Sequence, residues 1–473
     1  MQRMYKSKYL GFLSSISFAR AISTVLSVIT LPFLILKLGI EGFGQWSYIL
    51  ALMGFFNVIA DPGIATFAEP KIAKKRNLFM DKFKYFLTLR ILFGFLAVFA
   101  LVLYTKLFEN NEEISNLLII FGFFHLLGLV FSSDYILRAK ELFHQTSIQM
   151  LLAQFLYATG VFVLIRKPED ISYMVFIMIV SSLVSNIYGW SKLLKDGFKI
   201  GFKINLRMFK VIIKGSSFYA LSSIMSQSYT RLGHILVRHF LGEYALGVYS
   251  AIIRFIEIIF SFVSITMSLL MPRIAFLSSN KKQVEKLINF SIILICFAAL
   301  PSFFGIILTS ESGLKIIFDE EFSEFIHIFQ IAAFYILTNS FSSFFSGTVV
   351  YGLGMHQTYL RSTIYGAILG ILMYLLLIPM LGILGSVVAF FSAQIAVGLT
   401  ALFQLKNNFK ISPNFELLAM ILKACMLFYI LIFSFRFFEI DLNFFIQVLL
   451  GLIIYFLYLF FGNFFKKFFN LIK

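Results

Sequence analysis

Apolar stretches of about 20 residues alternate with short polar segments along nearly the whole chain, and each could cross a hydrocarbon core of roughly 30 Å. Strands are not indicated anywhere in this pattern. It predicts an all-α polytopic membrane protein of about fourteen transmembrane helices. The predicted spans lie near residues 10–36, 46–68, 85–107, 116–137, 146–165, 171–190, 211–238, 246–270, 287–308, 323–350, 361–380, 384–403, 417–437 and 443–461.

The basic residues predict the orientation, because Lys and Arg are retained on the cytoplasmic side of a membrane. Two loops that follow even-numbered spans are basic, and they contain Lys71, Lys74, Lys75, Arg76, Lys82 and Lys84, then Lys192, Lys195, Lys199, Lys203, Arg207 and Lys210. Two loops that follow odd-numbered spans are acidic, and they contain Glu109, Glu112 and Glu113, then Glu311, Asp319, Glu320, Glu321 and Glu324. We therefore expect both termini to be cytoplasmic, in the inner membrane of a bacterium.

The composition agrees with a membrane protein, since 60% of the residues are hydrophobic and only 13% are charged. The formal net charge of +17 comes mostly from short loops, where basic side chains meet anionic lipid headgroups, so we expect membrane lipids and no nucleic acid as partners. Cys296 and Cys425 lie in apolar runs and are expected to pack in the core. Neither metal-ligand spacing nor a phosphate-binding glycine loop is evident, so we expect no metal, no cofactor and no ATP hydrolysis.

A ten-residue turn occurs twice, at 38–47 and at 241–250, with an offset of 203 positions. Both copies read Leu-Gly, four residues, Gly, one residue, an aromatic residue, then Ser. Glycine and aromatic residues are common in turns at membrane interfaces, but both copies fall after the first helix of a six-helix set, which favours duplication. The repeat predicts two parallel six-helix bundles, an architecture used by carriers. The expected domains are residues 1–205, 206–410, and 411–473 with two extra helices and a basic tail.

The first turn, with Phe43-Gly44 and Trp46-Ser47, and the later Asp61-Pro62-Gly63 resemble those of polysaccharide and O-antigen repeat-unit flippases. These flippases belong to the multidrug, oligosaccharidyl-lipid and polysaccharide exporter superfamily. The resemblance implies transport of undecaprenyl-pyrophosphate-linked oligosaccharide from the cytoplasmic to the outer leaflet by alternating access. A polysaccharide polymerase and chain-length machinery are expected as further partners. Transport could be coupled to an H⁺ or Na⁺ gradient or driven by the membrane potential alone. The helices at 417–461 resemble those of peptidoglycan-precursor flippases, where they border a groove for a lipid tail.

Charged residues inside apolar helices are the candidate site residues, because each costs about 2.5–3.5 kcal/mol at the bilayer centre. The predicted substrate contacts are Arg20, Arg231, Arg254, Arg90 and Lys214. Guanidinium groups form bidentate, charge-assisted bonds to phosphate oxygens, which suits a pyrophosphate. Arg90 and Lys214 lie near cytoplasmic ends, where snorkelling to headgroups is the commoner explanation.

Two acidic residues, Asp61 and Glu257, are the predicted ion-coupling residues. Each has an alternative role in a simple ion pair. Asp61 could pair with Arg20, and Glu257 stands three positions after Arg254, on the same helical face. Both alternatives remain open from the sequence.

Two other functions are considered. An ion-coupled multidrug or metabolite antiporter of the same fold would need a more acidic pocket than the deep arginines provide. A membrane polysaccharide polymerase or glycosyltransferase would need a catalytic outer loop, for which the acidic segment 311–324 is the sole candidate. We therefore expect a transporter with no catalytic residues.

Overall fold

The computed structural model describes residues 2–74, 76–317, 324–437 and 443–470. Lys75 and the acidic residues Asp319, Glu320 and Glu321 of the predicted outer loops lie outside these ranges. Within them the chain is almost entirely helical and contains no β-strand. The predicted all-α fold is confirmed.

Sixteen α-helices follow one another within the described ranges, with a short 3₁₀ helix at Pro168–Asp170 and a π-helix at Ser343–Val350. Their bounds are α1 Gln2–Ala60, α2 Ile64–Lys74, α3 Arg76–Phe108, α4 Glu112–Val130, α5 Asp134–Ala139, α6 Phe143–Leu164, α7 Ile171–Lys195, α8 Leu206–Thr230, α9 Leu232–Leu277, α10 Lys281–Ile317, α11 Ile326–Ala332, α12 Phe334–Ser342, α13 His356–Lys406, α14 Phe415–Phe437, α15 Phe444–Phe461 and α16 Phe464–Asn470.

Eleven helical segments of the described chain are long and apolar enough to cross a membrane. The long helices α1, α9 and α13 are each interrupted by a glycine with positive φ, at Gly39, Gly242 and Gly382. Each glycine falls between two predicted spans, and a side chain there would strain the backbone. A reversal at each glycine would give two crossings in each of the apolar segments Phe18–Ala60, Leu206–Leu277 and His356–Lys406. The count of fourteen remains a prediction.

The chain forms two compact units, Met1–Ser250 and Ala251–Lys473. In the first unit α1 packs against α3, α4 and α6, and α6 packs against α7. A buried cluster that includes Phe83, Tyr135 and Phe209 joins α3, α5 and α8. The predicted domain boundaries at 205/206 and 410/411 remain predictions.

In the second unit α10 packs against α12, α14 and α15. Its buried cluster includes Cys425, Phe428 and Tyr455, with Cys296 packed against it. Both cysteines are free thiols in these apolar surroundings. Tyr455 donates its hydroxyl to the carbonyl oxygen of Phe297 at 2.9 Å, which fixes α15 on α10.

Candidate functional site

A helix break carries the predicted ion-coupling residue Asp61. Helix α1 ends at Ala60, and α2 begins at Ile64. Asp61 Oδ1 accepts hydrogen bonds from the backbone N–H groups of Ile64 (2.7 Å) and Ala65 (3.1 Å), so it caps α2. Gly63 has a φ of +71°, and a Cβ there would lie 2.4 Å from the Cβ of Tyr219 on α8. Only glycine allows this turn to pack so closely.

Arg90 of α3 is the ion-pair partner of Asp61, with Nη2 3.1 Å from Asp61 Oδ2. The same nitrogen donates to the carbonyl oxygen of Leu129 at 2.7 Å and to Ser132 Oγ at 3.2 Å. The guanidinium carbon lies 4.8 Å from the ring centroid of Tyr135. The Arg90 side chain therefore contacts the helix break at Asp61, the end of α4 and α5.

Two alternatives from the sequence are corrected by this geometry. The partner of Asp61 is Arg90 and not Arg20. The Arg90 side chain is only 1% exposed, so it does not snorkel to headgroups. Its role as a substrate contact remains a prediction.

The other predicted cations of the first unit have different surroundings. Arg20 on α1 and Lys214 on α8 are exposed, while Arg231 at the end of α8 is half-buried. A Cβ added to Gly54 of α1 would lie 3.2 Å from Arg231 Cγ, so this arginine packs over a glycine. These three cations form no ion pair within the described ranges.

Arg254 and Glu257 of α9 lie in the second unit and form the ion pair that their spacing predicted, at 3.2 Å. Arg254 remains 52% exposed and Glu257 30% exposed. The hydroxyl of Tyr335 on α12 donates to Glu257 Oε1 at 3.5 Å, and the Tyr335 ring stacks on Phe390 at 5.0 Å. Buried Tyr335 thus positions the Glu257 carboxylate, and this carboxylate binds one nitrogen of the exposed Arg254 guanidinium.

An ion-pair network that the sequence did not predict lies at Arg238 of α9. Arg238 makes a bidentate contact with Glu109, with Nη1 to Oε2 at 2.6 Å and Nη2 to Oε1 at 3.1 Å. Nη2 also donates to Glu243 Oε1 at 2.9 Å, and the guanidinium carbon lies 3.9 Å from the ring centroid of Tyr48. The sequence feature that could have indicated this network is Arg238 at the end of an apolar stretch, with the acidic residue Glu243 five positions later.

Burial and Arg238 shift the pKa of the Glu109 carboxyl in opposite directions. Glu109 lies just after α3. Desolvation raises the pKa of the Glu109 carboxyl, but the hydrogen bond and charge of Arg238 lower it by more. The net pKa is below its ordinary value, so Glu109 is ionised at neutral pH. The network therefore contains one arginine and the two carboxylates of Glu109 and Glu243.

An apolar cavity of about 410 Å³ lies in the second unit between α10, α14 and α15. Small residues of α10, including Gly305 and Gly313, open one wall, and Phe428, Gly451 and Tyr455 line the opposite side. No cluster of three or more His, Cys, Asp or Glu that could hold a metal occurs in the described ranges.

Eleven described helical segments long and apolar enough to cross a membrane define the class as a multi-pass α-helical membrane protein. The particular family is given by a sequence model described as polysaccharide biosynthesis protein, which matches residues 13–278. Since this match covers more than half of the chain, the protein belongs to that family.

Three similar proteins agree with this assignment. A probable low-salt glycan biosynthesis flippase of Haloferax volcanii is 22% identical over 77% of this chain and 76% of its own. A Shigella flexneri protein assigned as an O-antigen transporter is 25% identical over 69% of this chain and 79% of its own. The solved lipid II flippase MurJ, in an inward closed conformation, has a TM-score of 0.76 at 17% identity, over 97% of this chain and 99% of its own.

The resemblance to polysaccharide flippases of the exporter superfamily is thereby confirmed. The relatives are named as flippases and transporters, which agrees with the expectation of a transporter rather than an enzyme. The similarity to the solved structure is a similarity of fold.

Proposed function

We propose that this protein is a flippase that moves undecaprenyl-pyrophosphate-linked oligosaccharide from the cytoplasmic to the outer leaflet of a bacterial inner membrane. It would supply repeat units for an O-antigen, a capsule or a similar polysaccharide, and a polymerase would consume them. The observation that carries the proposal is that membrane helices of a polysaccharide biosynthesis family expose arginine side chains, at Arg20 and Arg254.

The chemistry of the pyrophosphate favours these residues. A guanidinium group bonds two phosphate oxygens at once, and such charge-assisted bonds are about twice as strong as neutral ones. Arg254 uses one nitrogen for Glu257 and is 52% exposed, so its remaining N–H groups are accessible. Arg20, Arg231 and Lys214 are proposed as further contacts with the phosphates or with acidic sugars.

The lipid tail needs an apolar surface inside or beside the protein. The cavity between α10, α14 and α15 is lined mainly by aliphatic and aromatic side chains and could accept a hydrocarbon segment. This supports the expectation that the two carboxyl-terminal helices α14 and α15 border a groove for the lipid.

Transport by alternating access would be driven by an H⁺ or Na⁺ gradient. Asp61 already accepts two backbone hydrogen bonds and pairs with a buried arginine, which commits its carboxylate to the fold. Glu257 is more exposed and has one exposed ion-pair partner, so we propose it as the main ion-coupling residue.

A conservative variant tests the positioning of Glu257. We expect Tyr335→Phe to lower the transport rate by about two- to tenfold, since it removes one hydrogen bond to a charged group. The same substitution at exposed Tyr365 of α13 is the control and should have no effect. Equal rates in the two variants would show that Tyr335 does not position the carboxylate.

The proposed function is tested in a strain that lacks the gene. We expect loss of surface polysaccharide, together with accumulation of undecaprenyl-linked repeat units in the cytoplasmic leaflet. Single units in the outer leaflet without polymer would identify a polymerase instead. An unchanged surface would favour an ion-coupled multidrug or metabolite antiporter.

A further inference from the structure

The connection between α7 and α8 exposes large apolar side chains outside the predicted spans. Ile200, Phe202, Ile204 and Leu206 are between 45% and 80% exposed. Residues 198–205 form neither a helix nor a turn. The predicted spans on either side end at residue 190 and begin at residue 211. Contact with the hydrocarbon core along α7 and α8 therefore does not account for these four side chains.

Contacts with α3 fix the backbone of this connection. Phe198 is buried, and its ring packs edge-on against Phe83 with centroids 4.7 Å apart. The N–H of Lys203 donates to Thr88 Oγ1 at 3.1 Å. Asn205 caps the start of α8 with its side-chain oxygen. The apolar side chains are thus held on a defined surface, and exposed apolar surfaces of this kind mark interaction sites.

The same connection is basic. Lys199, Lys203 and Arg207 are exposed and occupy odd positions, whereas the exposed apolar residues occupy even positions. Asp196, which precedes them, pairs with Lys140 just after α5 at 3.7 Å. Alternate side chains of an extended chain point to opposite sides. One apolar side and one cationic side are typical of a segment that lies in a membrane interface.

We propose that residues 199–207 form a lipid-binding segment, which inserts its apolar side chains into the membrane surface and binds anionic phospholipid headgroups through Lys199, Lys203 and Arg207. Both ends of the segment continue into membrane helices, which hold it close to the headgroups. Charge complementarity selects the lipid, because each basic side chain near an anionic surface strengthens binding about fivefold. A second copy of this chain would bring the same three cations together, which disfavours it as the occupant.

A spin label at Ile204 tests the insertion without any cargo. The labelled chain carries Ile204→Cys, with Cys296 and Cys425 replaced by Ala, in nanodiscs whose two faces are both open to solutes. The reference label is placed at Gln283→Cys, an exposed polar residue in the first turn of α10. In phosphatidylcholine with about one-third phosphatidylglycerol, the Ile204 label should collide at least about threefold less often with a water-soluble nickel complex than the reference label, and more often with oxygen.

The dependence on anionic lipid is tested with the same label. In nanodiscs of phosphatidylcholine alone, collisions of the Ile204 label with the nickel complex should rise at least about threefold, because the cations have no anionic headgroups to bind. The triple variant Lys199→Gln/Lys203→Gln/Arg207→Gln should show the higher collision rate in both lipid mixtures. A low collision rate that is the same in both mixtures, or that survives in the triple variant, would overturn binding to anionic lipid.

The matched control removes three exposed cations from another segment. Lys281→Gln/Lys282→Gln/Lys286→Gln should leave the collision rates of the Ile204 label unchanged. Equal nickel collision rates for the Ile204 and Gln283 labels in the anionic nanodiscs would overturn insertion. Shielding of the Ile204 label from both nickel and oxygen, seen only when a nanodisc holds two copies of the chain, would identify a second copy as the occupant and also overturn the proposal.

Discussion

Replacing Arg90 with leucine is expected to destabilise the first unit by about 3–5 kcal/mol, because the buried Asp61 carboxylate is left without its counter-ion. Arg90 is 1% exposed and Asp61 12%, so water cannot replace the lost partner without opening the helices. The same change removes hydrogen bonds to Leu129 and Ser132, which leaves the end of α4 without its side-chain donor.

Unfolding of the purified protein in mixed micelles measures this loss of free energy. Lys214→Leu removes an exposed cation from α8 and should change the free energy by less than about 0.5 kcal/mol. The double variant Asp61→Asn/Arg90→Leu should recover more than half of the loss. Asparagine is as good a helix cap as aspartate, so the cap on α2 survives while the unpaired charge disappears. If Arg90→Leu is as stable as the control, the ion pair does not hold the helix break.

The all-α fold and the local Arg254–Glu257 pair could be predicted, because each depends on residues close together in the sequence. Hydropathy locates a helix, and a spacing of three places two side chains on one face. The partner of Asp61 could not be predicted in this way. Arg20 and Arg90 are both cations within apolar helices, and only the packing of α3 beside the helix break selects Arg90.

The repeated turn shows the same limit. Its two copies were found from the sequence, and Gly39 and Gly242 have similar non-helical geometry, with φ of 71° and 88°. That the copies contact one another through Gly44 and Gly247 depends on how distant helices assemble. The Arg238 network also joins residues 129 positions apart, and nothing in the local pattern pairs them.

Arg254→Ala is expected to lower transport by about ten- to a hundredfold, since hydrogen bonds to charged groups contribute about 1.5–3 kcal/mol each. Stability should change little, because Arg254 is 52% exposed and exposed ion pairs contribute about 0–1 kcal/mol. The measurement is the flipping rate of lipid-linked oligosaccharide in reconstituted vesicles. Arg361→Ala, at an exposed arginine of α13, is the matched control.

A second variant then separates two roles for Arg254. If the arginine only neutralises Glu257, Arg254→Lys keeps the neutralising charge and should transport as fast as the unsubstituted protein. If it binds the pyrophosphate, Arg254→Lys should retain only part of the rate, since lysine keeps the charge but not the bidentate geometry. A full rate in Arg254→Lys would remove Arg254 from the substrate site and leave Arg20 and Arg231 as the proposed phosphate contacts.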